Sequence, residues 1–136
     1  MIDQKKMATL NIRRIFAFAI VLLVLRIVAS FVAADPVTSE AINAEVALKY
    51  LLRYLLDAAI VIAVFARLAQ VQVQSPYIHA FLVVMLQELL GAALLFATVG
   101  SSSSSPLWWL DYLMLVLSVI AGTRLGLRGQ VHLQNS

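Results

Sequence analysis

The stretch KYLLRYLLDAAIVIA, Lys49 to Ala63, sets a lysine, an arginine and an aspartate at i, i+4 and i+8 in an otherwise apolar run. On a helix these spacings make one slowly drifting stripe. A charge at the centre of an isolated membrane span costs about 2.5–3.5 kcal/mol or more, so such groups turn inward and find partners. Three further residues share this setting: Arg26, Glu88 and Asp111 each interrupt an apolar segment. Arg26, Lys49 and Arg53 thus stand against Asp57, Glu88 and Asp111, three against three. Two chemistries fit. A neutral network would fix helix order and register, as polar contacts do between membrane helices. A proton relay or ion path would load and unload Glu88 and Asp57, with Arg26 as their switchable counter-ion. The balance favours the first, because a working carrier often keeps one acid free.

The elements that must position these groups follow from composition. The chain has 136 residues, 62% of them hydrophobic, and a mean hydropathy of +0.94. A span needs about 20 mostly apolar residues, since a helix rises about 1.5 Å per residue through a hydrocarbon core roughly 30 Å thick. Four segments qualify, at about 15–34, 46–69, 78–99 and 107–127. The expectation is an all-α, four-transmembrane-helix antiparallel bundle, a single membrane domain over 1–136. By helical rise, Asp57 lies about 16 Å below the outer end of the second segment. Arg26 and Glu88 lie about 16 Å and about 15 Å above the inner ends of the first and third. All three reach one level near the bilayer midplane. Asp111, about 6 Å into the fourth segment, falls between the levels of Lys49 and Arg53. The expected pairings are Arg53 with Asp57 along their own helix, Arg26 with Glu88 and a share of Asp57, and Asp111 with Lys49 or Arg53. Gln87 can add donors and acceptors, and Lys49 can instead snorkel to the outer interface.

Charge placement gives the topology. Lys5, Lys6, Arg13 and Arg14 precede the first segment, Arg67 ends the second, and Arg124 and Arg128 close the fourth. The first loop carries Asp35, Glu40 and Glu45 and no basic residue. This is the positive-inside pattern with both termini cytoplasmic, N-in and C-in. The net charge of +3 therefore records topology and calls for no nucleic acid. Arg13-Arg14 before an apolar run resembles a targeting signal, but Arg26 interrupts that run, so the segment is expected to be retained. Asp35-Pro36 ends the first helix. Thr38 or Ser39 can cap the second, and Ser75-Pro76 and Ser105-Pro106 begin the third and fourth. Trp108, Trp109, Tyr112, Tyr50 and Tyr54 read as an outer aromatic belt. Ser118, Gly122 and Gly126 form a small-xxx-small packing stripe on the fourth segment. Ala59, Ala63 and Ala66 on the second, and Gly91, Ala92 and Ala93 on the third, suit similar packing.

Much chemistry is missing. With no cysteine, neither disulfide nor thiol chemistry is available. His79 and His132 lack spaced partners for a metal and read as polar interface and tail residues. No phosphate loop or nucleophile motif is present. No enzyme activity, cofactor or metal is expected, and a membrane enzyme would need a substrate-sized cavity around the acids. The charged second segment, the short loop ending in Ser75-Pro76 and the Ser105-Pro106-Leu107 start of the last segment resemble the phosphate-starvation-inducible PsiE family of bacterial inner-membrane proteins. That resemblance, mainly over 46–127, implies four spans with both ends inside and no defined activity. The expected function is a non-enzymatic accessory or structural subunit, or a stress-related component, of the bacterial inner membrane. Its partners would be the lipid bilayer and other membrane chains, as a hetero-complex or homo-oligomer. The alternative is an oligomeric proton- or cation-coupled transporter using the midplane carboxylates.

Overall fold

The computed structural model describes residues 11–32, 44–72, 74–100 and 108–134. They form four helices: α1 (Ile12–Val32), α2 (Ala44–Val71), α3 (Pro76–Val99) and α4 (Trp108–Gln134). The apolar runs predict the helices within a few residues, except that α4 continues through Arg128 and Gln130 to Gln134. Asp35-Pro36, Thr38, Ser39 and Ser105-Pro106 lie outside the described residues. Three stretches are long and apolar enough to cross a membrane: Ile12–Phe31, Pro76–Thr98 and Trp109–Gln130. The second helix is not among them, and it carries Glu45, Lys49, Arg53, Asp57 and Arg67.

Neighbouring levels show how the helices run. Arg14 meets Val71 and Gln72, and Arg26 meets Asp57, so α1 and α2 are antiparallel. Tyr54 meets Asp111, and Gln130 meets Ala69, so α2 and α4 run side by side in the same direction. The most extensive packing lies between α2 and α4, and α2 also touches α1 and α3. It is the hub of the bundle.

The α2–α4 seam owes its closeness to two glycines. A Cβ on Gly122 would lie 2.6 Å from the Ile62 carbonyl oxygen. On Gly126 it would fall against the Ala66 carbonyl oxygen and 2.7 Å from Ala69 Cβ. Lipid tails are as apolar as leucine, so such close packing, more than a hydrophobic drive, holds membrane helices together. Ser118 is buried on the same face of α4. On α2 the partner surface is Ile62, Phe65, Ala66 and Ala69. Ala59 and Ala63, expected to pack there, are exposed, as are Ala92 and Ala93 on α3.

The end of α2 is sealed by its neighbours. Its last four carbonyls would lack intrahelical donors. Leu68 O accepts from Gln72 N at 2.8 Å, and Gln130 Nε2 donates to Ala69 O and Gln70 O at 3.0 and 2.7 Å. Arg14 Nη1 donates to Val71 O at 3.1 Å and to Gln72 Oε1 at 3.3 Å. A cation there also suits the negative end of the helix dipole.

The turn into α3 places Ser75 at the N-cap, with Pro76 in the first turn, as the sequence suggests. Its backbone is left-handed at φ 53°, and its side chain makes no cap hydrogen bond. Its carbonyl instead accepts from Ile78 N, His79 N and His79 Nδ1. His79 is therefore fully buried rather than an interface residue. Since Nδ1 donates, Nε2 is a bare acceptor in the neutral ring, and it has no partner among the described residues.

The core lies toward this end of the bundle. It includes Ile15, Ala19 and Leu22 of α1, Val61, Phe65 and Leu68 of α2, and Ala80 and Val83 of α3. If the glycine seam sets the packing, Gly122→Ala and Gly126→Ala will each cost about 1–3 kcal/mol, the usual range for overpacking. Thermal unfolding in detergent should show both midpoints several degrees lower. Gly91→Ala, whose Cβ would make ordinary contact with Leu23 at 3.7 Å, should stay at the wild-type midpoint. Wild-type midpoints for both seam variants would show that the helices do not approach this closely.

Candidate functional site

Arg26, Asp57, Gln87 and Glu88 converge from the middle of three helices. Asp57 and the Gln87–Glu88 pair sit at the midpoints of α2 and α3, and Arg26 sits a turn beyond the midpoint of α1. The common level expected from helical rise is where the side chains meet. Arg26 Nε donates to Asp57 Oδ1 at 2.9 Å, and Nη1 donates to Gln87 Oε1 at 3.1 Å and Glu88 Oε1 at 3.2 Å. One planar guanidinium thus ties α1 to both neighbours, in charge-assisted bonds stronger than neutral ones. Gln87 is buried, while Asp57 and Glu88 are each about one-third exposed, at 32% and 36% of the side chain.

That pattern differs from the expected pairing. Asp57 is held by Arg26 across the helix interface, and Arg53, its neighbour one turn away, has no carboxylate within 4 Å among the described residues. An arginine four residues before an aspartate has the less favourable orientation for a helical ion pair, whereas Arg26 reaches Asp57 directly. Asp111 accepts a hydrogen bond from Tyr54 Oη at 2.7 Å. Lys49 and Arg53 are exposed on α2. Among the described residues, two of the carboxylates share one arginine, and the third is held by a phenol.

Beyond this cluster, among the described residues, a partly open cavity of about 920 Å³ lies on the side away from the sealed end of α2. Arg26, Asp57, Gln87 and Glu88 form its floor, and it extends to Tyr50 near the start of α2 and Thr98 near the end of α3. Arg53, Asp111 and Tyr112 line it too, so five of the six charges border one space. Tyr50, Tyr54 and Tyr112, expected as an interface belt, are lining residues as well. Trp109 is exposed. The rest of the wall is mostly apolar, with Leu23, Ile27, Leu94, Leu95 and Leu115, and includes Ser30.

Sequence reasoning missed this vestibule and the burial of His79. The levels of the charges were legible, but a cavity depends on how far helices splay. No group of three potential metal ligands occurs among the described residues. No family model, curated protein or solved structure matches the chain.

The observed pairing predicts a specific pattern of energetic coupling. In double-mutant cycles on thermal stability, Arg26→Gln with Asp57→Asn should show a coupling of about 1 kcal/mol or more, as for residues in one network. Arg53→Gln with Asp57→Asn should show less than about 0.5 kcal/mol, as for independent sites. The reverse order would restore the pairing along α2.

Proposed function

We propose that this chain is a four-span, non-enzymatic protein of the bacterial inner membrane that binds a proton or cation at the Asp57–Glu88 pair, as part of coupled transport. The observation that carries this reading is one arginine shared by two carboxylates on the lining of a sizeable cavity. A single guanidinium neutralises one of them. The second remains available to a proton or cation entering through the vestibule. A network built only to hold helices would have no need of that surplus, and ion-pathway acids characteristically face a polar cavity.

On this reading α2 is the fourth span. Arg53 and Asp57 border the cavity, and Lys49 and Arg67 lie toward the two ends of the helix, which lowers the cost of a charged helix in a bilayer. Arg13, Arg14, Arg67, Arg124 and Arg128 gather toward the sealed end, which supports both termini cytoplasmic and a vestibule on the outer side. This is the topology implied by the PsiE resemblance.

A second reading, an accessory subunit packing against other membrane helices, draws on the same Arg26 contacts as structural ties. The broad exposed apolar faces of α1 and α3, including Phe16, Val24, Phe81 and Leu89, suit either lipid or a partner helix.

Glu88→Gln separates the two. In proteoliposomes under an imposed pH or cation gradient, the transport reading expects wild-type flux and at least tenfold less in Glu88→Gln, with the thermal midpoint kept within a few degrees. The accessory reading expects no flux from either protein, and a defined partner chain in the complex extracted with mild detergent from the native membrane.

A further inference from the structure

We propose that the vestibule is a binding site for an amphipathic organic cation, one with a positive centre and a bulky apolar body; this rests on reading the vestibule as a cation site. Size is the first reason. A path for protons or bare metal ions needs only a file of polar groups, whereas this cavity measures about 920 Å³. Pockets for drug-sized molecules run to about 300–1,000 Å³ and are mostly apolar, with a few placed polar groups.

The second reason is the sign of the lining. Two arginines face three carboxylates, one negative charge in excess when all are ionised. Arg26 is already committed to Asp57 and Glu88. Among the described residues, the hydrogen bonds to the three acids fall on Asp57 Oδ1, Glu88 Oε1 and Asp111 Oδ1, which leaves one oxygen of each facing no described donor. An anion would have only Arg53 to meet it, against this surplus.

The third reason is the kind of wall. Tyr50, Tyr54 and Tyr112 bring three aromatic rings to the same space as the acids. An aromatic face within about 6 Å of a cationic centre attracts it, more strongly where water is excluded. Leucine and isoleucine side chains of α1, α3 and α4 supply apolar surface for the rest of the ligand. A lipid acyl chain would satisfy those walls and leave the acids unmatched.

The test uses two probes of nearly the same shape and opposite charge, tetraphenylphosphonium and tetraphenylborate, with the full-length protein in nanodiscs. Equilibrium binding should saturate for tetraphenylphosphonium and be at least tenfold weaker for tetraphenylborate. Asp111→Asn should weaken phosphonium binding at least fivefold, and Arg53→Gln should tighten it by removing a like charge. Leu94→Trp changes no charge and alters an exposed wall residue; it should reduce binding at least tenfold in a folded protein. Equal affinity for both probes, or binding unaffected by Leu94→Trp, would overturn the proposal. Preference for tetraphenylborate with dependence on Arg53 would reverse its sign. No probe binding with Glu88-dependent ion flux intact would reject the organic cation and leave the transport reading standing. Absence of both would reject the two together.

Discussion

Arg26 sets the terms for the rest of the molecule. A guanidinium stays charged in any protein, and its position in the middle of an apolar helix leaves neutralisation by protein groups as the practical remedy. Its own helix offers none, since Ile12–Val32 contains no acid. The partners must come from other helices at the same level, and Asp57 and Glu88 are the residues placed there. The bonds to them fix the rotation of α1 about its axis and the heights of α2 and α3 against it. These pairs are only part-buried, and polar contacts of this kind between membrane helices fix how the helices meet. Gln87 completes the set by accepting from the same nitrogen that reaches Glu88.

Below this level the described helices pack closely, and above it they border the cavity. The difference follows from side-chain size along α4. Gly122 and Gly126 bring its backbone against Ile62 and Ala66. Nearer the start of α4, Asp111 and Tyr112 line the cavity, while Leu115 is buried in the core. The contact there is a hydrogen bond between long side chains, Tyr54 to Asp111. The same helix thus closes against α2 in one half and lines the cavity in the other. Gln130 and Arg14 reinforce the closed half through the carbonyls at the end of α2.

How much of this the sequence discloses depends on the geometry involved. Helical rise alone places Arg26, Asp57 and Glu88 at one level, because depth is linear in residue number. The stripe of Ser118, Gly122 and Gly126 is equally legible, since 3.6-residue periodicity puts the three on one face. Pairing is less legible. Arg53 and Asp57 have helical ion-pair spacing, but rotation of α2 in the bundle turns Asp57 toward α1 while Arg53 stays exposed. The partner of the glycines was legible in part. Ala66, one of the alanines expected to pack, does meet Gly126. Ile62 meets Gly122 through its backbone carbonyl, which leaves no mark on residue type, whereas the alanines at 59 and 63 face outward. His79 looked like an interface residue because it lies so close to the start of its helix. The turn at Ser75 folds the ring back onto its own carbonyl and into the core.

The one-sided shape of the site constrains any transport cycle. A ligand reaching Arg26 from the vestibule meets a floor backed by Leu22, Val61, Phe65 and Val83, all fully buried. Access from the other side would have to pass through that plug, and the cost of moving a charge through it is set by the polar groups it contains. The buried side-chain atoms without a partner among the described residues are His79 Nε2 and Thr123 Oγ1. Unsatisfied buried acceptors are costly to retain, so the closed half is not uniformly apolar packing. It holds two unspent hydrogen-bonding groups, one on α3 and one on α4.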